Sequence, residues 1–70
     1  MKSLQINGQR RQFTPQEMPA TLTALLEKLG IGAATVVAEV DGQIVPPEAF
    51  ARTQVHDGQT IEFIKFMGGG

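Results

Sequence analysis

Seventy residues put the chain near the lower limit for a domain held by one hydrophobic core, and its lack of cysteine removes disulfide staples, metal thiolates, thiol nucleophiles and persulfide chemistry. Six Lys/Arg against seven Asp/Glu give a formal charge of −1, and with neither Tyr nor Trp the one basic pair, Arg10-Arg11, reads as a solvated strand or turn face, not a nucleic-acid surface. The start, Met1 to Ile6, is too short and polar for a signal peptide, and no apolar run approaches the ~20 residues that span a bilayer, so a cytoplasmic protein with no membrane contact, monomeric when free, is expected.

Leu4 and Ile6 alternate with Ser3, Gln5 and Asn7, the pattern of a strand with one buried face. Asn7-Gly8 follows at once and predicts a type I′ hairpin turn, with Gln9 to Phe13 as the returning strand. Thr14-Pro15 and Pro19 break the pattern. Leu22, Leu25, Leu26 and Leu29 then fall at i, i+3, i+4 and i+7, one apolar stripe on an amphipathic helix. Thr21 is placed to cap its start, Lys28 to meet the negative end of its dipole, and Gly30 to end it. At about ten residues such a helix depends on packing more than on propensity. Thr35 to Asp41 reads as the next strand, with Val36, Ala38 and Val40 inward and Glu39 toward water. Asp41-Gly42 is a second turn signal. Ile44-Val45 runs into Pro46-Pro47, which ends regular pairing, and Pro47 to Phe50 reads as one helical turn that aims Phe50 into the core. A short strand near Val55, a turn at His56-Asp57-Gly58 and a last, longest strand from Gln59 to Met67 complete the order.

Strands flanking one helix predict an α+β fold with a mixed sheet and the main helix on one face, and the β-grasp or ubiquitin-like roll has this element order. The expected core is Leu4, Ile6, Leu22, Leu25, Leu26, Leu29, Val36, Ala38, Val40, Phe50, Ile61 and Phe63. The chain divides into this domain over residues 1–67 and a flexible glycine tail over residues 68–70.

Little else carries chemistry. Ser3 is the only serine and His56 the only histidine; they stand far apart in the sequence, and His56 ahead of Asp57-Gly58 reads as a turn residue. One histidine with scattered carboxylates predicts no metal site, the carboxylates form no acid–base pair, and Gly30-Ile31-Gly32 lacks the rest of a phosphate loop. What remains is the end, Gly68-Gly69-Gly70. By itself a glycine-rich end reads as a frayed terminus or an appended sequence. Here it directly follows Ile61 to Met67, a strongly β-forming run, so a rigid strand is expected to deliver a free carboxylate on an arm without side chains. Three extended residues reach about 10 Å. The arm is expected to be disordered in the free protein, and a chain that stops at Gly70 needs no proteolytic release of its reactive end. If Glu62 faces water, alternation puts Ile64 and Phe66 on the same outer face, beside the tail. Those two side chains read either as a second packed layer or a change of register, or as a docking patch for a partner that takes the tail.

These features together resemble the ThiS family, the sulfur carrier proteins of thiamine biosynthesis. The resemblance covers the whole chain: Leu4-x-Ile6-Asn7-Gly8; Thr23-Ala24-Leu25-Leu26-Glu27-Lys28-Leu29; Val40-Asp41-Gly42-Gln43-Ile44-Val45-Pro46 followed by Glu48 and Phe50; Val55-x-Asp57-Gly58-x-x-Ile61-x-Phe63; and Gly69-Gly70. The residue before the diglycine is variable and small in the family, and Gly68 fits that position. The resemblance implies that the chain is not an enzyme and binds no cofactor of its own. A partner similar to the adenylyltransferase ThiF would use ATP to convert the Gly70 carboxylate, ionised at neutral pH, into an acyl-adenylate. Sulfur from a cysteine-persulfide donor would displace AMP and leave a thiocarboxylate. A thiazole synthase resembling ThiG would then take the sulfur. Ile64 and Phe66 would serve docking, and Gly68 and Gly69 the arm. Three other readings share part of the pattern: the small subunit of molybdopterin synthase, usually longer; a ubiquitin-like modifier joined to lysine; and a plain β-grasp interaction module.

Overall fold

The computed structural model of the protein describes residues 1–65. The chain opens with β1 (Lys2–Ile6) and β2 (Gln9–Phe13), antiparallel from Lys2↔Phe13 to Ile6↔Gln9. Both turn residues have positive φ, 50° at Asn7 and 82° at Gly8, as a type I′ turn requires. Asparagine tolerates this conformation and glycine adopts it at no steric cost. Leu4 and Ile6 are buried, and Phe13 is buried at the far end of the hairpin.

The segment between hairpin and helix is tied locally, because the carbonyl of Thr14 accepts from the N–H groups of Glu17 and Met18, both at 3.0 Å. Helix α1 (Leu22–Leu29) starts where the hydroxyl of Thr21 accepts from Ala24 N–H at 3.1 Å. It stops at Gly30, with φ 73°: Gly30 N–H donates to the carbonyl of Glu27 and Ile31 N–H to that of Leu26, the Schellman pairing that satisfies carbonyls at the helix end. Leu22, Leu25 and Leu26 are buried, and Leu29 packs at the edge of the core. The helix runs for eight residues, somewhat shorter than its stripe suggests.

Strand β3 spans Val36–Val40 and pairs antiparallel with β4 (Gln43–Val45) across the Asp41-Gly42 turn. Thr35 belongs instead to a 3₁₀ turn over Ala33–Thr35, where its hydroxyl donates to the Gly32 carbonyl at 2.7 Å. That local bond competes with extension and starts the strand one residue later than its hydropathy does. After Pro46 a 3₁₀ helix, Pro47–Arg52, buries Phe50. The short strand expected near Val55 is a single bridge, Thr21↔Gln54, flanked by Leu22 N–H to Thr53 carbonyl and Val55 N–H to Ala20 carbonyl bonds. It ties the start of α1 to the approach to the last strand.

That strand, β5 (Thr60–Lys65), begins one residue later than its hydropathy suggests, because Gln59 turns its side-chain carbonyl back onto His56 N–H at 2.8 Å. Its expected last two residues, Phe66 and Met67, lie outside the described residues, as does the boundary between domain and tail. The five strands form one mixed sheet in the order β2-β1-β5-β3-β4, with β5 central, parallel to β1 and antiparallel to β3. One helix covers one face, as the β-grasp order predicts. Among the described residues the core is wholly apolar and joins both hairpins, α1 and the 3₁₀ helix Pro47–Arg52. It includes Phe13 and Val55, which the expected set omits, and holds Val40, Phe63 and Leu29 as partly buried neighbours.

Candidate functional site

The site to be built is the base of the glycine tail, the C-terminal half of β5. On one side β3 pairs with β5 along its full length, from Val40↔Ile61 to Val36↔Lys65. On the other side the β1 ladder stops at Ile6↔Ile61, because β1 turns away at Asn7-Gly8. Asn7 extends the hold by one step. Its backbone N–H donates to the Ile61 carbonyl at 3.0 Å, and its side-chain carbonyl accepts from Phe63 N–H at 2.8 Å. The far end of β5 is therefore held by a strand on one side and by a single side chain on the other.

The faces follow the alternation. Ile61 is fully buried and Phe63 half-buried on the helix side. Glu62 and Ile64 face outward, with Ile64 46% exposed. Across the sheet Val37 stands opposite Ile64, Glu39 opposite Glu62, and Ile44, 60% exposed, opposite Glu39. The outer face near the tail thus mixes apolar side chains with two carboxylates. Ile44, given no role in the sequence reading, joins this face because the β3–β4 register puts it there; a three-residue strand carries too little periodicity to reveal it. On the helix side, Ile31, Thr35, Val36, Phe63 and Lys65 line a shallow groove of about 410 Å³.

Of the residues singled out from the sequence, Ile64 stands exposed where alternation puts it. Phe66, Gly68, Gly69 and Gly70 lie outside the described residues, as does the expected disorder of the tail. His56 is exposed at its turn and exchanges bonds with Gln59, whose N–H donates to the His56 carbonyl at 3.2 Å. Asn7 was legible in the sequence only as a turn residue; nothing in its neighbourhood announces a bond to a residue 56 positions away. No helix among the described residues is long and apolar enough to cross a membrane.

The sequence model of the ThiS family matches residues 4–70. A crystal structure of a thiamine biosynthesis protein (ThiS) from Geobacter metallireducens is similar, with a TM-score of 0.79 and 36% identity over 97% of this chain and 99% of that one. An NMR structure of a thiamine biosynthesis protein from the same organism gives a TM-score of 0.75, with 36% identity over 97% of this chain and 87% of that one. A thiazole synthase of Paramagnetospirillum magneticum is 39% identical over 67 residues, which are 96% of this chain but only 20% of that protein's length. The uncharacterized protein ycf40 of Porphyra purpurea is 32% identical over 68 residues, 97% of this chain and 92% of its own. With a match that takes in nearly every residue, and a solved neighbour that shares both the sheet and the helix, the chain belongs to the ThiS family and carries its ubiquitin-like β-grasp fold.

Proposed function

We propose that the chain is a protein sulfur carrier of thiamine biosynthesis, acting through the carboxylate of Gly70. The observation that carries this reading is the sequence Gly68-Gly69-Gly70, separated by two residues from the described end of the central strand. The carboxylate attacks the α-phosphorus of ATP in an adenylyltransferase of the ThiF kind; pyrophosphate leaves and an acyl-adenylate forms. The terminal sulfur of a cysteine persulfide then attacks the acyl carbon and AMP leaves. A second thiol then attacks the cysteine sulfur of the persulfide's S–S bond; a disulfide forms and the Gly70 thiocarboxylate leaves. A thiazole synthase of the ThiG kind takes the sulfur from it. The carrier supplies no catalytic group and no cofactor. Its contribution is a glycine arm without side chains, and Ile64 on the outer face, together with Phe66, docks the activating partner. Two relatives support the pathway: a thiazole synthase with a segment similar to this chain as one-fifth of its length, and the thiamine biosynthesis protein solved both by crystallography and by NMR.

The test is intact mass after incubation with the adenylyltransferase, ATP and a persulfide donor. Replacement of one oxygen by sulfur is the expected result. A bond to a lysine of another protein overturns this reading in favour of a modifier, and an unchanged mass overturns it in favour of a plain interaction module.

A further inference from the structure

Beside the tail base, β5 loses its neighbour on the β1 side four residues before the described chain ends, since the last ladder position there is Ile6↔Ile61 and the next residues turned to that side are Phe63 and Lys65. Along a strand, alternate residues turn their N–H groups to the same side, so Phe63 N–H points where β1 would have continued. An unmet donor at that point leaves the strand end free to fray. The side-chain carbonyl of Asn7 meets it at 2.8 Å, while the backbone N–H of the same residue holds the Ile61 carbonyl at 3.0 Å. Asn7 combines this with φ 50° in a two-residue turn. Glycine also satisfies the turn but has no acceptor; aspartate satisfies the turn and keeps the acceptor.

We propose that Asn7 is a positioning residue for the Gly70 reaction: its side chain replaces the missing β1 strand, holds β5 straight past Ile61, and so defines the base from which the tail is presented. The inference rests on the carrier reading above. An arm presented from a firm base loses less freedom when a partner's channel takes it, so the hold assists capture. Once Gly70 is seated at the nucleotide, Asn7 is far along the chain and the chemical step does not depend on it. The effect therefore belongs in KM for the carrier, with kcat unchanged.

The experiment uses the full chain and its variants Asn7→Gly and Asn7→Asp, with amide hydrogen exchange on each alone and ATP–pyrophosphate exchange with the adenylyltransferase at varied carrier concentration. In Asn7→Gly, loss of one net hydrogen bond is expected to speed exchange at Phe63 N–H about fivefold to tenfold, with the Leu26 and Ala38 amides remaining slower than Phe63. KM for the carrier should rise about threefold to tenfold through lost pre-organisation, with kcat within about twofold of wild type. Asn7→Asp should restore both. An unchanged Phe63 amide, an unchanged KM, a fall confined to kcat, or failure of aspartate to rescue overturns this inference alone. A wild-type chain inert with the adenylyltransferase overturns the carrier reading and this inference together.

Discussion

At the scale of single residues the tail and its base make separable demands. In the proposed reaction Gly70 supplies the carboxylate, and a glycine has no side chain to remove. Deleting Gly70 is therefore expected to abolish ATP–pyrophosphate exchange with the activating enzyme while circular dichroism and thermal midpoint stay at their wild-type values; exchange at the wild-type rate would refute the role given to that carboxylate. Gly69→Val should impair exchange as well, because a β-branched side chain both widens the arm and restricts its backbone. Ile64 tests the outer face. It is 46% exposed on the side away from the helix, so Ile64→Ala is expected to weaken binding of the adenylyltransferase while stability changes by no more than about 0.5 kcal/mol. Calorimetric binding beside chemical denaturation separates the two; a variant that binds normally, or that loses stability and not affinity, removes Ile64 from the docking surface. The carboxylates of Glu39 and Glu62 lie on the same face, directly across from one another, a pairing that costs stability in a sheet.

At the scale of elements, α1 shows how a short helix persists. Eight residues are too few for propensity to hold it. The hydroxyl of Thr21 caps one end, the Schellman pairing at Gly30 caps the other, and three leucines are buried on the sheet side. Leu26 combines two of these roles: its side chain is 1% exposed, and its carbonyl accepts from Ile31 N–H at 3.0 Å. Leu26→Ala keeps the carbonyl and empties the side-chain volume, so it is expected to cost about 2–5 kcal/mol, read by urea or thermal unfolding. That is a large part of the stability of a small domain. A variant of unchanged stability would show that α1 does not close the core.

At the scale of the molecule, β5 binds the parts together. It pairs with β1 from the opening hairpin and with β3 from the second one, while Ile61 reaches the shared core. The central strand cannot leave without exposing both hairpins, so unfolding should be one transition. Amides of Leu26 on α1, Ala38 on β3 and Ile61 on β5 are expected to exchange with a single common free energy equal to that of global unfolding, with Phe63 below it. If α1 opens at markedly lower free energy than β5, the domain is not one cooperative unit.

Local signals in the sequence determined most of the elements. Asn7-Gly8 and Asp41-Gly42 specify their turns because positive φ excludes most residues, and the leucine stripe with Thr21 and Gly30 defines α1 because caps and period act within a few residues. The inward set on β5 follows from alternation alone. The glycine end too was plain in the sequence, since composition needs no coordinates. Other features depend on which groups meet in the folded chain, near or far in sequence. Thr35 left the strand for a local hydroxyl bond, and Gln59 did so for His56. Phe13 and Val55 became core residues because the hairpin end and the Thr21↔Gln54 bridge close over the same apolar cluster. Ile44 joined the outer face through the β3–β4 register. Only the parallel pairing of β1 with β5 brings Asn7 to Phe63, and the bond between them exists because the β1 ladder ends at Ile61 while β5 runs on to Lys65. Turns, caps and periods are written in neighbouring residues; the register and the end of the β1–β5 ladder arise between chain segments more than fifty residues apart, and tertiary packing alone decides them.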